Sequence, residues 1–362
     1  MAVHHVLCIH GIGKHSKDWV DDKDDGEQSL AELLKLLWEK YPATRNKGSF
    51  AQRVKLHSIH YDDEIDKIFA HWEEQSNKLK EGLALSPMLM DQAAWFTEAI
   101  DKASAAKGEK DWRYTHLMDL LLFAGSPGIQ DRLVTYVGAQ VIDLVKRHSG
   151  SGPISVIAHS MGTAMAHKVI QALYNEGVDT PMGRQTLKGD FQFEHLCMVA
   201  NTSFALSRDR KNHYKGIVRP SLTAGEGCCF TFLNVNHQLD PVGQFQRFDA
   251  RKDPAWLDPR IEGRGWFQDL KPTRISAKNI HAITHYFRDP AVHIPFFELA
   301  FDARFTDAQR GAATDEFIDA TPEGKLKALK SQFEMFDVSS KGSIRDLMQA
   351  VKSFRDAIRL FG

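Results

Sequence analysis

The serine at position 160 has the surroundings that a catalytic nucleophile requires. A strand-forming run at 154–157 leads into Ala-His-Ser-Met-Gly at 158–162, and a helix-compatible run follows at 163–170. A strand, a sharp turn and a helix in this order hold a serine in a strained backbone conformation and lift its hydroxyl clear of the sheet. Small residues must flank the turn, and Gly162 meets that need. The pattern predicts a nucleophile elbow at Ser160.

A glycine-rich turn near the start of the chain is suited to supply hydrogen-bond donors. Residues 3–9 form an apolar run typical of a buried strand, and His-Gly-Ile-Gly follows at 10–13. Acyl transfer builds negative charge on the former carbonyl oxygen, and backbone N–H groups fixed in advance must face that charge. We expect one donor from Met161, directly after the serine, and the other from Ile12. The two glycines of the turn let it approach the substrate closely.

Together these two motifs resemble the α/β-hydrolase superfamily, in particular its lipases and esterases. Around Ser160, Ile12 and Met161, the matching motif residues are His10, Gly11, Gly13, His159 and Gly162. The resemblance extends more weakly from residue 3 to about residue 300 and does not cover residues 62–127. It implies an α/β fold with a doubly wound, mostly parallel sheet. It also implies a Ser-His-Asp triad.

The superfamily places serine, acid and histidine in that order along the chain, with the acid usually after a late strand. The clearest late strand is the apolar run at 228–235, and Asp-Pro-Val follows it with Asp240 as its first residue. Asp240 is therefore the expected acid. An ordinary turn aspartate before a proline is the alternative.

Three histidines follow Asp240 and compete for the role of base. They are His281, His285 and His293. In this superfamily the catalytic histidine usually lies on the loop before the last helix, often with a small residue after it. His281, followed by an alanine, fits that position best, and His285 remains the alternative base. His293 is expected on a helix surface.

Composition limits the classes of protein to which the chain can belong. It has 362 residues, of which 43% are hydrophobic and 26% charged, as in soluble globular proteins with a large core. A net charge of -1 argues against a nucleic-acid partner. The cysteines are expected to be buried free thiols: Cys8, Cys197, Cys228 and Cys229.

Neither a secretory leader nor a transmembrane segment is expected. The first residues enter a strand directly, and no apolar run approaches the ~18 residues that span a bilayer. We therefore expect a cytoplasmic protein, with leaderless export left open. Transient contact with a membrane surface is compatible with this expectation.

Apolar runs alternate with amphipathic runs along most of the chain. Strands are expected at 3–9, 53–60, 154–159, 195–200 and 228–235, and helices at 28–40, 128–148 and 163–176. Such alternation predicts a parallel sheet with helices on its faces. We expect a catalytic domain at 1–303 with a helical cap or lid inserted at 62–127, followed by a helical C-terminal extension at 304–362. An apolar stretch at 83–96 would form either an acyl-binding lid or the core of a helical subdomain.

No metal or organic cofactor is expected. His281 and His285 have the spacing of a zinc pair but lack the glutamate that metalloproteases place beside the first histidine. The stretch from 337 to 348 resembles a calcium loop, but Lys341 and Met348 stand where oxygen ligands are needed. His4 and His5 are interpreted as structural residues, and the glycine patterns of nucleotide-binding loops do not occur in the sequence.

These features predict a carboxylic ester hydrolase, an esterase or lipase, that acts through an acyl-enzyme on a small-molecule or lipid ester. Thioesterases, amidases and acyltransferases use the same machinery and stay open. A different class also stays open, a non-catalytic protein of this fold that serves as a binding or scaffold module. The presence of serine, acid, histidine and glycine-rich turn together argues against that alternative.

Overall fold

The structure is a computed structural model that describes residues 2–11, 13, 15–24, 28–68, 70–71, 74, 127–244, 246–276 and 279–317. Most of the expected insertion at 62–127 and of the expected extension at 304–362 lies outside these residues, as do Ile12, the apolar stretch at 83–96 and the calcium-loop-like stretch. Residues 62–68 are helical.

A parallel sheet forms the centre of the described part of the chain. The described strands are β1 His4–Ile9, β2 Lys23–Asp24, β3 Gln28–Ser29, β4 Val54–Ile59, β5 Ile154–His159, β6 Val178–Thr180, β7 Gly183–Gln185, β8 Phe193–Val199, β9 Cys229–Val235 and β10 Phe267–Leu270. Six of them form the sheet in the order β4-β1-β5-β8-β9-β10, and every neighbouring pair is parallel. Two small antiparallel ribbons pair β2 with β3 and β6 with β7.

Helices connect and cover these strands. They are α1 Leu30–Lys40, α2 Pro42–Arg45, α3 Phe50–Arg53, α4 Pro127–His148, α5 Met161–Asn175, α6 Pro241–Gln244, α7 Pro259–Gly263, α8 Ile283–Arg288, α9 Pro290–Phe301 and α10 Asp307–Asp315. Local sequence explains several of the helix starts. Ser29 and Glu32 form a reciprocal capping box at the start of α1. Asp289 caps α9, whose first residue is a proline.

The four central strands, β1, β5, β8 and β9, are buried along most of their length, which is why they are mainly apolar. Along β1, Val6 and Cys8 belong to the core beneath α1 and α9, whereas Leu7 and Ile9 belong to the core beneath α4 and α5. This alternation follows from the two-residue period of a strand. The predicted α/β fold with a parallel, helix-covered sheet is confirmed.

Several sequence-based expectations can be compared with this architecture. The five predicted strands occur within two residues of their expected ends. A sixth strand of the sheet, β10, is not among the predicted strands. All four cysteines are buried and free, as expected. His293 is buried in α9 rather than exposed, since its Nδ1 donates to the carbonyl of Phe287 and its ring nitrogen Nε2 accepts from the hydroxyl of Tyr41.

The beginning of the expected extension packs against the sheet domain. Ala313 of α10 joins the core that contains α1 and α9. Ion pairs link Arg310 to Glu298 and Lys40 to Glu316. Within the described ranges, no helix combines the length and the apolar character needed to cross a membrane.

The strand order reverses direction at β1. The chain passes from β1 to β4 on one side, and β5 then lies on the other side of β1. At such a point the loops after two adjacent strands diverge and leave a crevice outside their carboxyl ends, where ligands bind in open α/β sheets. The loop after β1 and the turn after β5 border this crevice, and these are the two motifs identified in the sequence.

Candidate active site

Ser160 occupies a strained turn between β5 and α5. Its backbone has φ 55° and ψ -129°, a combination that costs about 1–3 kcal/mol for a residue with a side chain. The turn is stabilised by a hydrogen bond from the Ser160 N–H to the carbonyl of Val199 at 2.9 Å. The geometry is that of the predicted elbow, with strand, strained serine and helix in direct succession.

The loop after β1 packs directly against this elbow, and this close approach requires glycine at two positions. A Cβ atom on Gly162 would lie 2.2 Å from the carbonyl oxygen of His10, and one on Gly11 would lie 2.7 Å from the Cβ of Ser160. Both distances are shorter than any real side-chain contact. Gly13, with φ 144°, adopts a conformation that favours glycine for its backbone. The closeness of the two loops therefore depends on residues without side chains.

His281 bridges the serine and the acid. Its Nε2 lies 2.9 Å from Ser160 Oγ, and its Nδ1 lies 2.7 Å from Asp240 Oδ2. The residue stands on the loop two positions before α8, and its side chain is 23% exposed. A carboxylate can only accept here, so Nδ1 carries a proton and Nε2 of the neutral ring is left to accept from the serine hydroxyl. The structure thus brings together the three residues that the sequence analysis selected.

Asp240 is fully buried directly before α6 and is held in its ionised form. Its Oδ2 accepts from His281, and its Oδ1 accepts from the N–H of Val242 at 2.9 Å. Burial by itself raises the pKa of this carboxyl, but the paired His281 and the hydrogen bonds that the carboxyl accepts outweigh burial, and the pKa is lowered to about 2. Asp240 is therefore a carboxylate at neutral pH.

Tyr286 is a part of the site that the sequence analysis did not identify. Its hydroxyl donates to Asp240 Oδ2 at 2.6 Å, and the residue is buried on α8. The only sequence clue is that it follows His281 by five residues, which places it on the helix that the histidine loop enters. Tyr286 fixes the carboxylate, and the carboxylate in turn fixes the imidazole.

His159 supports the loop that carries His281. Its Nε2 donates to the carbonyl of His281 at 2.8 Å, and the two rings lie 4.8 Å apart between centroids. Burial, and then the nearby His281, lowers the pKa of His159 to about 3, so the ring is neutral. The elbow motif thus contributes a positioning residue as well as the serine.

His285, the alternative base, lies away from the serine. It is buried on α8, where its Nε2 accepts from the N–H of Ser276 at 3.3 Å and its ring packs 5.3 Å from that of His237. Burial, and then the neighbouring His237, lowers the pKa of His285 to about 4. The histidine that contacts both Ser160 and Asp240 is His281.

Of the two expected oxyanion donors, one is described. Met161 is the first residue of α5, so its N–H belongs to the first helical turn, where donors have no acceptor within the helix. It directly follows the serine and is completely buried. Ile12, the other expected donor, lies outside the described residues.

Two groups of side chains have the composition of metal sites. His10, His60 and Asp62 lie after the ends of β1 and β4, whereas His5 lies on β1, His57 on β4 and His148 at the end of α4. Burial, and then the nearby His15, lowers the pKa of His10 well below its usual value, so its imidazole is neutral. Neither group belongs to the contacts that join serine, histidine and acid.

Replacing Tyr286 with phenylalanine is expected to lower kcat about 10-fold with little change in KM, because it removes one hydrogen bond to a buried carboxylate and keeps the packed ring. Loss of that donor also raises the pKa of Asp240, but this pKa starts from about 2, so the loss in kcat should be similar at all pH values near neutrality. The measurement is kcat and KM across pH. Tyr174→Phe is the control, since it removes the hydroxyl of a partly buried tyrosine that donates to the carbonyl of Phe191 outside the site. Equal losses in both variants would contradict a specific role for Tyr286.

The chain was also compared with known proteins. No protein-family model, no curated protein and no solved structure matched it.

Proposed function

We propose that this chain is a serine hydrolase that cleaves carboxylic esters through a triad of Ser160, His281 and Asp240. The single observation that carries the proposal is the double contact of His281, with Nε2 at 2.9 Å from Ser160 Oγ and Nδ1 at 2.7 Å from Asp240. Hydrogen bonds that run from a serine to a histidine and from the histidine to an acid turn a weakly nucleophilic hydroxyl into an attacking group.

In the proposed reaction, Nε2 of His281 takes the proton of Ser160 as Oγ attacks the ester carbonyl carbon. Asp240 stabilises the imidazolium that forms. The N–H groups of Met161 and Ile12 hold the negative oxygen of the tetrahedral intermediate. His281 then gives its proton to the departing alcohol, which leaves an acyl-enzyme on Ser160. A water molecule deprotonated by His281 attacks the acyl carbon, and the proton returns to Ser160 as the carboxylic acid is released.

We also propose that the chain belongs to the α/β-hydrolase superfamily. Three features support this proposal: the parallel sheet, the strained serine after β5 and the glycine loop after β1. The strain at Ser160 also supports a functional role, because unfavourable backbone conformations persist where the surroundings impose them and cluster at active sites. A small-molecule or lipid ester is the proposed substrate class.

A covalent probe and a graded series of esters test this function together. A fluorophosphonate should label the folded protein at Ser160, as mapped by peptide mass spectrometry. p-Nitrophenyl esters of increasing acyl length should be hydrolysed with a length optimum, which reports on the acyl pocket. Labelling at another serine, or labelling at Ser160 without turnover of oxygen esters or thioesters, would count against an ester hydrolase.

A further inference from the structure

A group of three possible metal ligands lies where two neighbouring strands end. His10 directly follows β1, and His60 follows β4, its parallel neighbour, with Asp62 two residues later. One ligand atom from each residue lies within 4.8 Å of the others. His10 and His60 are buried, and the side chain of Asp62 is 15% exposed. The parallel register of β1 and β4 brings these residues together although about fifty positions separate them in the chain.

The spacing of the ligand atoms suits a metal ion better than a hydrogen bond. His10 Nε2 lies 3.7 Å from Asp62 Oδ1, which is too long for a hydrogen bond. Two ligands bound to one tetrahedral zinc ion at about 2.0–2.1 Å are separated by roughly 3.4 Å. A shift of a few tenths of an ångström would therefore bring these two atoms to coordination distance.

His10 and His60 each have one ring nitrogen anchored to a backbone carbonyl, as in metal sites. Nδ1 of His10 donates to the carbonyl of Gly11 at 2.7 Å, and Nε2 of His60 donates to the carbonyl of His15 at 2.9 Å. Metal-binding histidines usually donate their other N–H to such an acceptor, which fixes the tautomer and the ring orientation. The arrangement leaves His10 Nε2 with its lone pair. That atom is buried and has no hydrogen-bond partner among the described residues.

The remaining contacts hold the group in place. Asp62 Oδ2 accepts from the N–H of His15 at 2.6 Å, and Asp62 Oδ1 is the oxygen nearer to His10. The side chain of Gln140 on α4 accepts from the N–H of His60 and donates to its carbonyl. The hydroxyl of Tyr61 donates to the carbonyl of His10 at 2.8 Å. The ligands are thus oriented in advance by neighbours that do not depend on an ion.

We propose that His10, His60 and Asp62 bind one divalent transition-metal ion, with Zn²⁺ the best match. Two imidazole nitrogens and one carboxylate oxygen are common zinc donors, and a fourth position remains for water or another ligand. The ion would tie the loop after β1 to the segment after β4. Because the backbone of His10 packs against Gly162 of the elbow, the site stabilises the loop that faces Ser160 and takes no part in the acyl transfer itself.

The second group of histidines serves as an internal comparison. Both ring nitrogens of His5 already have partners, since Nδ1 lies 2.9 Å from His57 Nε2 and Nε2 lies 3.0 Å from Ser151 Oγ. Binding an ion there would break one of these hydrogen bonds. His148, which stacks on His5 at 4.0 Å, therefore offers a control of the same residue type at a group that is not preorganised for metal.

The test measures metal uptake by the full chain. Chelator-treated protein is titrated with Zn²⁺ and, separately, with Co²⁺, whose visible absorption reports coordination geometry. Wild type should take up one ion per chain with a tetrahedral cobalt spectrum, and Zn²⁺ should raise its Tm. Asp62→Asn and His60→Gln should lose this uptake and the rise in Tm. His148→Gln should behave as wild type.

Metal uptake is measured without any ester substrate, so failure of the metal-site proposal is distinct from failure of the proposed function. Wild type that folds cooperatively yet takes up no Zn²⁺ or Co²⁺ would overturn the proposal. So would uptake that survives in Asp62→Asn and His60→Gln, or uptake lost in His148→Gln. Cooperative unfolding of each chelator-treated variant, followed by circular dichroism, shows that lost uptake is not caused by lost structure.

Discussion

Replacing Ser160 with alanine is expected to lower kcat for ester hydrolysis roughly 10⁴- to 10⁶-fold, as removal of a triad nucleophile does in serine hydrolases. The Ser160 hydroxyl oxygen is the attacking atom in the proposed reaction, and among the described residues Ser160 is the serine hydrogen-bonded to His281. The small remaining rate would come from substrate binding and from the oxyanion donors. Stability should not fall much, because the substitution removes one oxygen from a turn whose strain the side chain does not relieve.

The measurement compares kcat with p-nitrophenyl esters at equal folded fraction, together with fluorophosphonate labelling. Ser203→Ala is a matched control, since Ser203 is also buried and lies on a loop after β8, a sheet neighbour of β5. It should keep its activity within a few-fold and label normally. Ser160→Ala should not label. Undiminished hydrolysis by Ser160→Ala would remove this serine from the mechanism.

Local sequence explains why the central strands and the elbow could be predicted. A strand buried on both faces is a short apolar run, and Pro153 and the sharp turn at Ser160 bound β5 at both ends. The edge strand β10 contains Gln268 and Asp269, and each of its residues is only partly buried. Its strand conformation depends on pairing with β9 across the sheet, which leaves no apolar pattern in the sequence.

Residues whose role depends on tertiary contacts could not be predicted in the same way. Tyr286 and His293 are polar residues in apolar helices, and only the folded chain shows that one meets Asp240 and the other meets Tyr41. The group of His10, His60 and Asp62 likewise depends on the register between β1 and β4. The sequence shows a histidine after each strand, but the distance between their rings follows only from the parallel pairing. The prediction of no metal is based on ligand patterns within single short stretches of sequence, whereas these three residues come from two separate stretches.

The two candidate bases can be separated by paired substitutions. His281→Ala is expected to lower kcat roughly 10⁴- to 10⁶-fold, because the group that accepts the serine proton is lost. His285→Gln should cost less than about 10-fold, since glutamine retains an acceptor for the N–H of Ser276 and His285 is not bonded to the serine or the acid. Asp240→Asn provides a third variant, expected to fall about 10⁴-fold because an amide no longer selects the required imidazole tautomer.

His281 and His285 differ in where their rings can point. The loop ahead of α8 lets His281 place Nδ1 on Asp240 and Nε2 on Ser160, whereas His285 is fixed within the helix with its ring against His237. Both substitutions should lower Tm, because His281→Ala leaves the buried Asp240 carboxylate without its main partner and His285 is itself buried. The two variants should therefore be distinguished by kcat at equal folded fraction, which falls by orders of magnitude only in His281→Ala. If His285→Gln loses activity while His281→Ala retains it at equal folded fraction, His285 is the base, and the loop must rearrange when substrate binds.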